Sequence, residues 1–438
     1  MASDLQLLVD QLSVRLGAAV LLEDHEQRPV VYSRQAGRID AVRRDTILHR
    51  VTSPEVMQWY RKFGILTARH PIRVPGQPER EILPRICAPA WYRDRLLGFL
   101  WLIDTEEGMD EADLAEVEKS AEHAALLLYE ERLAQRLVVQ AVAHLLSPSE
   151  ELRDAAASQL VDQSLLREGD PVVAVVVQPL PPSNTSVAAI EEALLDVGWE
   201  APAGTLLRLA CSDHGVLLVR LPDRSDDAPA LAIARSGREM LERRLGDRNG
   251  ADRRVVASLG DPQCELRRAA ASYRQARLAA RVASAVPLVG DVVRWRDLGV
   301  FRALAQLPNR EALESAIDPR VAVLLATGDM AVISTLETYL DLAGDAKATA
   351  EQLHLHRGTL YYRLDKAERM CGINVRNGYD RLAVHLGLKL ARLARAAEGL
   401  NGNGGSGAGI SRPRPAPGPA PAWPGPPPAG ASPGRHTT

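Results

Sequence analysis

The sequence predicts a multidomain α+β protein with an all-α C-terminal domain and a disordered tail. Its 438 residues exceed what one hydrophobic core usually organises. Strand-like and helix-like segments alternate as far as residue 307, whereas only helical periodicity is visible from residue 325. Residues 399–438 are dominated by Gly, Pro and Ala, with too little apolar surface to offset the entropy of ordering.

The overall composition is that of an ordinary globular protein, with 46% hydrophobic residues, 25% charged residues and a net charge of -3. The N-terminus is polar, and no apolar run approaches the roughly 18 residues of a membrane span, so we expect neither a signal peptide nor a span. The cysteines show no CxxC pair, which predicts buried thiols in a reducing cytoplasm and no zinc cluster. They are Cys87, Cys211, Cys264 and Cys371.

Residues 5–110 predict an antiparallel sheet. Alternating apolar residues around short turns indicate two hairpins, 17–24 with 29–33 and 85–91 with 96–104. Asp110 or Asp113 then begins a helix. These strands, Gly98 between apolar residues and the acidic helix start together resemble a GAF domain. The resemblance implies a sensor of a small-molecule effector.

A single long linking helix is predicted over residues 111–147. Its apolar residues lie near one stripe, formed by Leu114, Val117, Ala121, Ala124, Leu128, Leu137 and Leu145. At about 1.5 Å per residue the helix spans roughly 50 Å and needs a further surface to cover that stripe. A second copy of the chain is the simplest source of that surface, which predicts a homodimer. The alternative is two shorter helices folded onto their own domains, because the heptad register is weak around Glu131.

Residues 165–307 alternate strands and helices. The predicted strands are 172–177, 206–210, 215–219 and 254–260, and the predicted helices are 188–197, 230–244 and 265–283. This order is similar to a ferredoxin-like fold of the nucleotide-cyclase type. It resembles a degenerate GGDEF-like domain.

The hairpin at residues 211–216 tests whether this domain is an enzyme. Diguanylate cyclases need a Gly-Gly-acid-Glu-Phe hairpin, whose carboxylates hold the metal. Here the segment is Cys-Ser-Asp-His-Gly-Val, so the second carboxylate is absent. We therefore predict no enzyme, no metal and no cofactor, although Asp213 and His214 could still line a nucleotide pocket. The chain also has no HExxH, GxxxxGK[ST] or GxSxG motif.

Residues 349–364 predict two short helices around a tight turn, a helix-turn-helix. Leu360, Leu364 and Ala367 recur at helical spacing and give the second helix a buried face. Hydroxyl groups and cations lie away from that face, as suits a helix that enters the major groove. The predicted DNA-contacting residues are Arg357, Gly358, Thr359, Tyr362, Arg363 and Lys366. A helical hairpin within a larger core is the alternative, and structural roles are expected for His354 and His356.

Charge supports the DNA-binding prediction, because residues 347–395 form a basic region in an acidic remainder. Their cations are Lys347, Arg357, Arg363, Lys366, Arg369, Arg376, Arg381, Lys389, Arg392 and Arg395, and their acids are Glu351, Asp365, Glu368 and Asp380. The tail carries three arginines and no acid, so an arm on the DNA backbone stays open as its role.

The same region resembles a known family. Thr335-Leu336-Glu337-Thr338-Tyr339-Leu340, the run from His356 to Leu364, Cys371-Gly372 and the closing helix 386–393 look like the C-terminal domain of PucR and CdaR-type bacterial transcriptional regulators. The family usually has Asn where this chain has Gly358. The resemblance implies a DNA-binding domain over residues 325–397 that follows a GGDEF-like domain.

Together these features predict a cytoplasmic, homodimeric regulator that responds to a small-molecule effector and binds double-stranded operator DNA, without contact with a membrane. When bound to DNA it would lie on the nucleoid. Two other classes of function remain. A signalling adaptor would show no salt-dependent affinity for DNA, and a nucleotide enzyme would turn over a nucleoside triphosphate with magnesium.

Overall fold

The structure is a computed structural model that describes residues 2–35, 38–104, 108–180, 187–197, 205–249, 254–286 and 289–401. Its N-terminal part consists of α1 (Ala2–Leu16), β1 (Val20–Asp24), β2 (Pro29–Tyr32), α2 (Ala41–His49), α3 (Pro54–Arg61), β3 (Ile72–Val74), β4 (Arg85–Tyr92) and β5 (Arg95–Ile103). The strands form one antiparallel sheet in the order β2-β1-β5-β4-β3. Both predicted hairpins are present, β1 with β2 and β4 with β5.

The two faces of this sheet are covered differently. One face packs against α1 and against α4 (Glu111–Leu145). The opposite face, which includes Phe99 and Trp101, packs against α3 and its neighbouring segments. Gly98 lies where β5 crosses β1, and a Cβ there would overlap the carbonyl oxygen of Glu23. Glycine at this position therefore permits the close pairing of the two strands.

The linking helix is continuous, so the alternative of two shorter helices is wrong. Asp110 and Asp113 begin it together as a capping box, in which each side chain accepts a backbone N–H of the other residue. The predicted dimer stripe is mostly covered within the chain. Residues near its start, such as Val117 and Leu128, pack on the N-terminal sheet, and Leu145 packs on the next domain.

Three other leucines of α4 remain exposed on its middle section. They are Leu126, Leu133 and Leu137. Of these three, only Leu137 belongs to the stripe expected from the sequence. Helical periodicity finds the apolar face of a helix, but it does not distinguish a face covered by the same chain from one left for a partner.

The middle part contains α5 (Glu150–Asp162), β6 (Val172–Leu180), α6 (Val187–Val197), β7 (Leu206–Ala210), β8 (Gly215–Arg220), α7 (Ala228–Asn249), β9 (Arg254–Leu259), α8 (Ala269–Ala285) and β10 (Val292–Arg294). The sheet order is β10-β9-β6-β8-β7, and β6 runs antiparallel to both β8 and β9. Helices α6 and α7 pack on one face. The other face packs on α8, α5 and the end of α4.

The C-terminal part is helical: α9 (Phe301–Leu304), α10 (Arg310–Ser315), α11 (Pro319–Ala326), α12 (Met330–Asp341), α13 (Ala346–Gln352), α14 (Arg357–Cys371) and α15 (Gly378–Asn401). Helices α11, α12, α14 and α15 share one core. Further along α15, Leu390 and Leu393 pack instead against alanines of α8 in the middle domain.

The structure corrects the expectations for Cys264 and for the first residues of the C-terminal tail. Cys264 is exposed, although a buried thiol was expected. Helix α15 continues to Asn401, so residues 399–401 are helical, and the remainder of the predicted tail, 402–438, lies outside the described residues. Within the described part of the chain, no helix has the length and apolar character needed to cross a membrane.

Candidate DNA-binding site

Helices α13 and α14 are joined by a tight turn that fixes their relative position. Asp345 caps α13 by accepting the backbone N–H groups of Lys347 at 2.8 Å and Ala348 at 3.0 Å. In the turn, His354 adopts a left-handed backbone with φ of 50°. His356 then caps α14, because its Nδ1 accepts the backbone N–H of Gly358 at 3.2 Å. Both histidines thus have the structural roles expected from the sequence.

The buried face of α14 is the one that the helical spacing predicts. Leu360, Leu364 and Ala367 are buried in the core shared with α12 and α15. Gly372, with φ of 62°, ends the helix in the left-handed conformation that glycine adopts without strain. Helix α14 is therefore anchored along one side, and its first turns project from the domain.

The first two turns of α14 present four of the six predicted contact residues to solvent. Arg357, Gly358, Thr359 and Tyr362 are all exposed, Tyr362 at 61%. The guanidinium carbon of Arg357 lies 5.5 Å from the centre of the Tyr361 ring, so the cation rests over an aromatic side chain at the surface. A cation and hydroxyl groups thus occur together at one exposed helix N-terminus, as contact with phosphate requires.

Gly358 stands where the family that this region resembles usually has Asn, and the structure shows how much space surrounds this position. A Cβ at Gly358 would meet only the His356 ring, at 3.4 Å and 4.0 Å. The position can therefore hold a larger side chain. Its glycine leaves the helix N-terminus open rather than relieving a clash.

Arg363 and Lys366 are placed differently from the expectation, because both are half-buried against α12. Arg363 donates from Nη1 to Oγ1 of Thr335 at 3.2 Å. Lys366 Nζ lies 2.7 Å from Oδ2 of Asp329, the residue that caps α12. The hydrogen bond from Lys366 is the main cause that lowers the pKa of Asp329, and the same bond raises the pKa of Lys366. The ion pair with Asp329 was not predicted from the sequence, and the DNA contact expected of Lys366 stays a prediction.

Sequence reasoning missed a second group of residues beside the turn. Lys347, Glu351, His354 and Arg357 line an open cavity of about 670 Å³ between α13 and the start of α14. Lys347 is exposed and brings a second cation next to Arg357. The position of Lys347 in the first turn of α13 could be predicted from the sequence. Its proximity to Arg357 could not, because it depends on the angle between the two helices.

A charge network centred on the buried residues Glu337 and Lys389 holds α12 against α15. Lys389 Nζ donates to Oε1 of Glu337 at 2.9 Å and to Oδ2 of Asp341 at 2.8 Å. Arg392 reaches the other oxygen of Glu337 at 2.8 Å, and His385 lies 2.7 Å from Asp341. Because α15 also packs on α8, this network connects the helix-turn-helix to the middle domain.

Comparison with known proteins agrees with this geometry. Residues 332–390 match the family model of the PucR C-terminal helix-turn-helix domain. The chain is 21% identical to the proline-responsive transcriptional activator PutR of Bacillus subtilis (strain 168), over 89% of this chain and 97% of that protein. It is 19% identical to the DNA-binding transcriptional activator AdeR of the same organism, over 88% of this chain and 92% of AdeR.

A third similarity is confined to the C-terminal region. The purine catabolism regulatory protein of Bacillus subtilis (strain 168) is 32% identical over 65 residues, which are 15% of this chain and 12% of that protein. The similarity to two activators along most of their length and the matched domain identify the chain as a DNA-binding transcriptional regulator whose C-terminal domain is a PucR-type helix-turn-helix.

Proposed function

We propose that the protein binds operator DNA as a homodimer, inserting the first turns of α14 into the major groove, and that an effector bound by its N-terminal domain controls this activity. The carrying observation is the exposed start of α14, where Arg357, Thr359 and Tyr362 lie together at the helix N-terminus. In this arrangement Arg357 and Lys347 contact phosphates, while Thr359 and Tyr362 position the helix.

Arg363 and Lys366 take second roles in this proposal. Each would contact DNA only after leaving its partner on α12, Thr335 for Arg363 and Asp329 for Lys366. A phosphate competes for Lys366 against one half-exposed carboxylate, whose attraction in a solvated setting is modest. Binding of DNA would therefore exchange one ion pair of Lys366 for another.

We further propose the domain identities that the sequence resemblance implies. Residues 5–110 would form a GAF-like sensor, residues 165–307 a ferredoxin-like, degenerate GGDEF-like domain, and residues 325–397 the DNA-binding domain. The five-stranded antiparallel sheet supports the first identity. The order β6-α6-β7-β8-α7-β9, with β6 between β8 and β9, supports the second.

The middle domain acts as a relay rather than as an enzyme in this proposal. Both carboxylate oxygens of Asp213 are engaged, one by His214 Nδ1 at 2.6 Å and the other by Arg277 at 3.1 Å. His214 Nε2 in turn lies 2.8 Å from the Tyr273 hydroxyl. Burial raises the pKa of Tyr273 to about 12, which makes it a poor proton donor at neutral pH. The carboxylate is thus used to hold the hairpin in place.

Two helices would carry the signal between domains. Helix α4 packs on the N-terminal sheet at its start and on the middle domain at its end. Helix α15 packs on α8 and, through its charge network, on α12. A change in the sensor thus has a continuous path of packed helices to the DNA-binding domain.

A second copy of the chain would pack on the middle section of α4. Leu126, Leu133 and Leu137 are exposed there, and their spacing places them along one side of the helix. A two-fold dimer would also present two copies of α14 to successive half-sites of DNA. We propose activation as the sign of regulation, because PutR and AdeR are both named activators. The protein would act in the cytoplasm, on the DNA of the nucleoid.

Mapping the genomic sites bound by the protein, followed by fluorescence anisotropy on one such site at several salt concentrations, tests the proposal. We expect a specific affinity that falls steeply with salt, since phosphate contacts release counterions. An affinity that is absent, or that does not change with salt, would favour the adaptor alternative.

A further inference from the structure

A cluster of buried polar residues lies in the N-terminal domain, between the sheet and the segments that contain α2 and α3. Arg43 of α2, Tyr60 of α3 and Arg85 of β4 are only 1%, 2% and 4% exposed. The Arg85 guanidinium carbon lies 5.4 Å from the centre of the Tyr60 ring, which is 4.5 Å from the Trp101 ring. Arg43 reaches the same place, because its Nη2 donates to the Trp101 carbonyl at 3.3 Å.

One of the two arginines is fully paired. Arg85 forms a buried ion pair with Asp40. The same carboxylate accepts the backbone N–H of Leu83 at 2.8 Å and that of Arg43 at 2.7 Å. Asp40 thereby accepts three hydrogen bonds, and the charge of Arg85 is balanced.

Arg43 is different, because its partners are neutral. Its side chain donates to the carbonyl of Ala19 at 3.5 Å and to Oε1 of Gln35 at 3.4 Å, besides the Trp101 carbonyl. Its Nε has no partner, and among the described residues no carboxylate lies within ion-pair distance. The Tyr60 hydroxyl, in the same layer, also has no hydrogen-bond partner among the residues that the structure describes.

The charge of Arg43 persists despite burial. Burial lowers the pKa of Arg43 to about 10, which is still well above neutral pH. The nearby acid, Glu23, does not offset it fully, because burial raises the pKa of Glu23 to about 7. Near neutral pH the charges of Asp40 and of the partly ionised Glu23 therefore balance those of Arg43 and Arg85 only incompletely in this enclosed layer, which is an expensive arrangement unless an anion joins it.

We propose that this cluster binds the carboxylate group of a small monocarboxylate metabolite, with Arg43 and the Tyr60 hydroxyl as donors. A guanidinium matches a carboxylate in shape and charge, and an excess of at most one positive charge suits a monoanion better than a phosphate dianion. Phe99 and Trp101 supply apolar walls for the body of the ligand. The inference rests on the effector response proposed above and assigns its site and ligand class.

The binding event would also fix the cover of the sheet. In the structure the cluster is enclosed, so the segments containing α2 and α3 must move apart to admit a ligand. A bound carboxylate would then join Arg43 of α2 to Tyr60 of α3 above the sheet whose other face carries α4. Ligand binding would therefore reduce hydrogen exchange across residues 41–61.

The proposal is tested by calorimetric titration of the full chain with acetate, propionate and pyruvate. The corresponding amides and inorganic phosphate are titrated for comparison. We expect at least one carboxylate to bind and the amides and phosphate to fail. Arg43→Met should weaken that binding by about tenfold to hundredfold, because it removes a charged hydrogen-bond donor. The matched control, Arg44→Met on the exposed side of α2, should bind like the parent.

Tyr60→Phe provides a second variant should Arg43→Met fail to fold, because the hydroxyl has no protein partner and its loss leaves the packing intact. Equal binding of acids and amides, binding of phosphate alone, no binding of any probe, or unchanged affinity in Tyr60→Phe would each overturn the assignment. Operator binding measured on the same preparations separates the two levels. Intact DNA binding beside absent carboxylate binding refutes only this site, whereas loss of both refutes the proposed function.

Discussion

Glu23 offers a test of how the N-terminal domain is held together. Its side chain is 3% exposed and accepts hydrogen bonds from Thr52 Oγ1 at 2.9 Å and Trp101 Nε1 at 2.8 Å. Burial raises its pKa from 4.5 to about 7, against the opposing effects of these bonds and of Arg43. The buried carboxylate thus lies in the sheet with its charge poorly solvated.

The sign of the pH effect follows from the two pKa values. The folded value, about 7, is above the unfolded value of 4.5, so the folded state binds the proton more tightly. Glu23 therefore stabilises the fold fully below pH 4.5, and this contribution is lost as the pH rises through 7. The difference between the two values corresponds to about 3 kcal/mol in the free energy of unfolding.

Replacement of Glu23 by Gln should remove that dependence. The amide stays neutral, its oxygen can accept from Trp101, and the Thr52 hydroxyl can turn to accept its N–H. We expect Glu23→Gln to be more stable than the parent by up to about 3 kcal/mol at pH 8, and by less than about 1 kcal/mol at pH 5. Hydrogen exchange on peptides that cover β1 and β5 measures this difference locally.

The matched control is Glu26→Gln, an exposed glutamate in the turn after β1. Its stability should differ from that of the parent by less than about 0.5 kcal/mol at both pH values, as is usual for surface changes. A difference between Glu23→Gln and the parent that is the same at pH 5 and pH 8 would refute the reasoning. It would mean that Glu23 titrates in the folded state as it does in the unfolded chain.

Further predictions concern the DNA-binding domain and the assembly. Arg357→Ala should weaken binding to all DNA sequences about equally and reduce the salt slope of the affinity by about one in anisotropy titrations. If Arg363 reads a base, Arg363→Ala should lose about 1 to 3 kcal/mol of binding free energy on the specific site alone. An unchanged affinity in both variants would exclude the proposed groove contact. Leu364→Ala should destabilise the domain by about 2 to 5 kcal/mol in urea unfolding, because Leu364 is buried in the core; a loss below about 1 kcal/mol would contradict that packing. Leu133→Glu should convert a dimer to a monomer in light scattering, and a monomeric parent would disprove the proposed interface.

Much of the fold was predictable because its signals are local. The continuous run of β-branched residues at 172–177 predicted the buried strand β6, and the spacing of Leu360, Leu364 and Ala367 predicted the buried face of α14. Each of these patterns is set by the repeat of a single element, so it can be read without knowing what lies opposite. The segments at 41–61 lack such a repeat over a sufficient length, and α2 and α3 were not predicted.

Contacts between distant segments decided the rest. The sequence placed Lys366 away from the buried face of α14, but it did not show that Asp329 pairs with it from the start of α12. The apolar face of the linking helix was predicted to pack against a second copy, although two domains of the same chain cover most of that face. Residue type and period determine that a side chain is buried or charged. Only the tertiary structure determines its partner, because the approach of segments far apart in the chain has no local signature. For Arg43 it shows a buried cation whose hydrogen-bond partners, among the described residues, are all neutral.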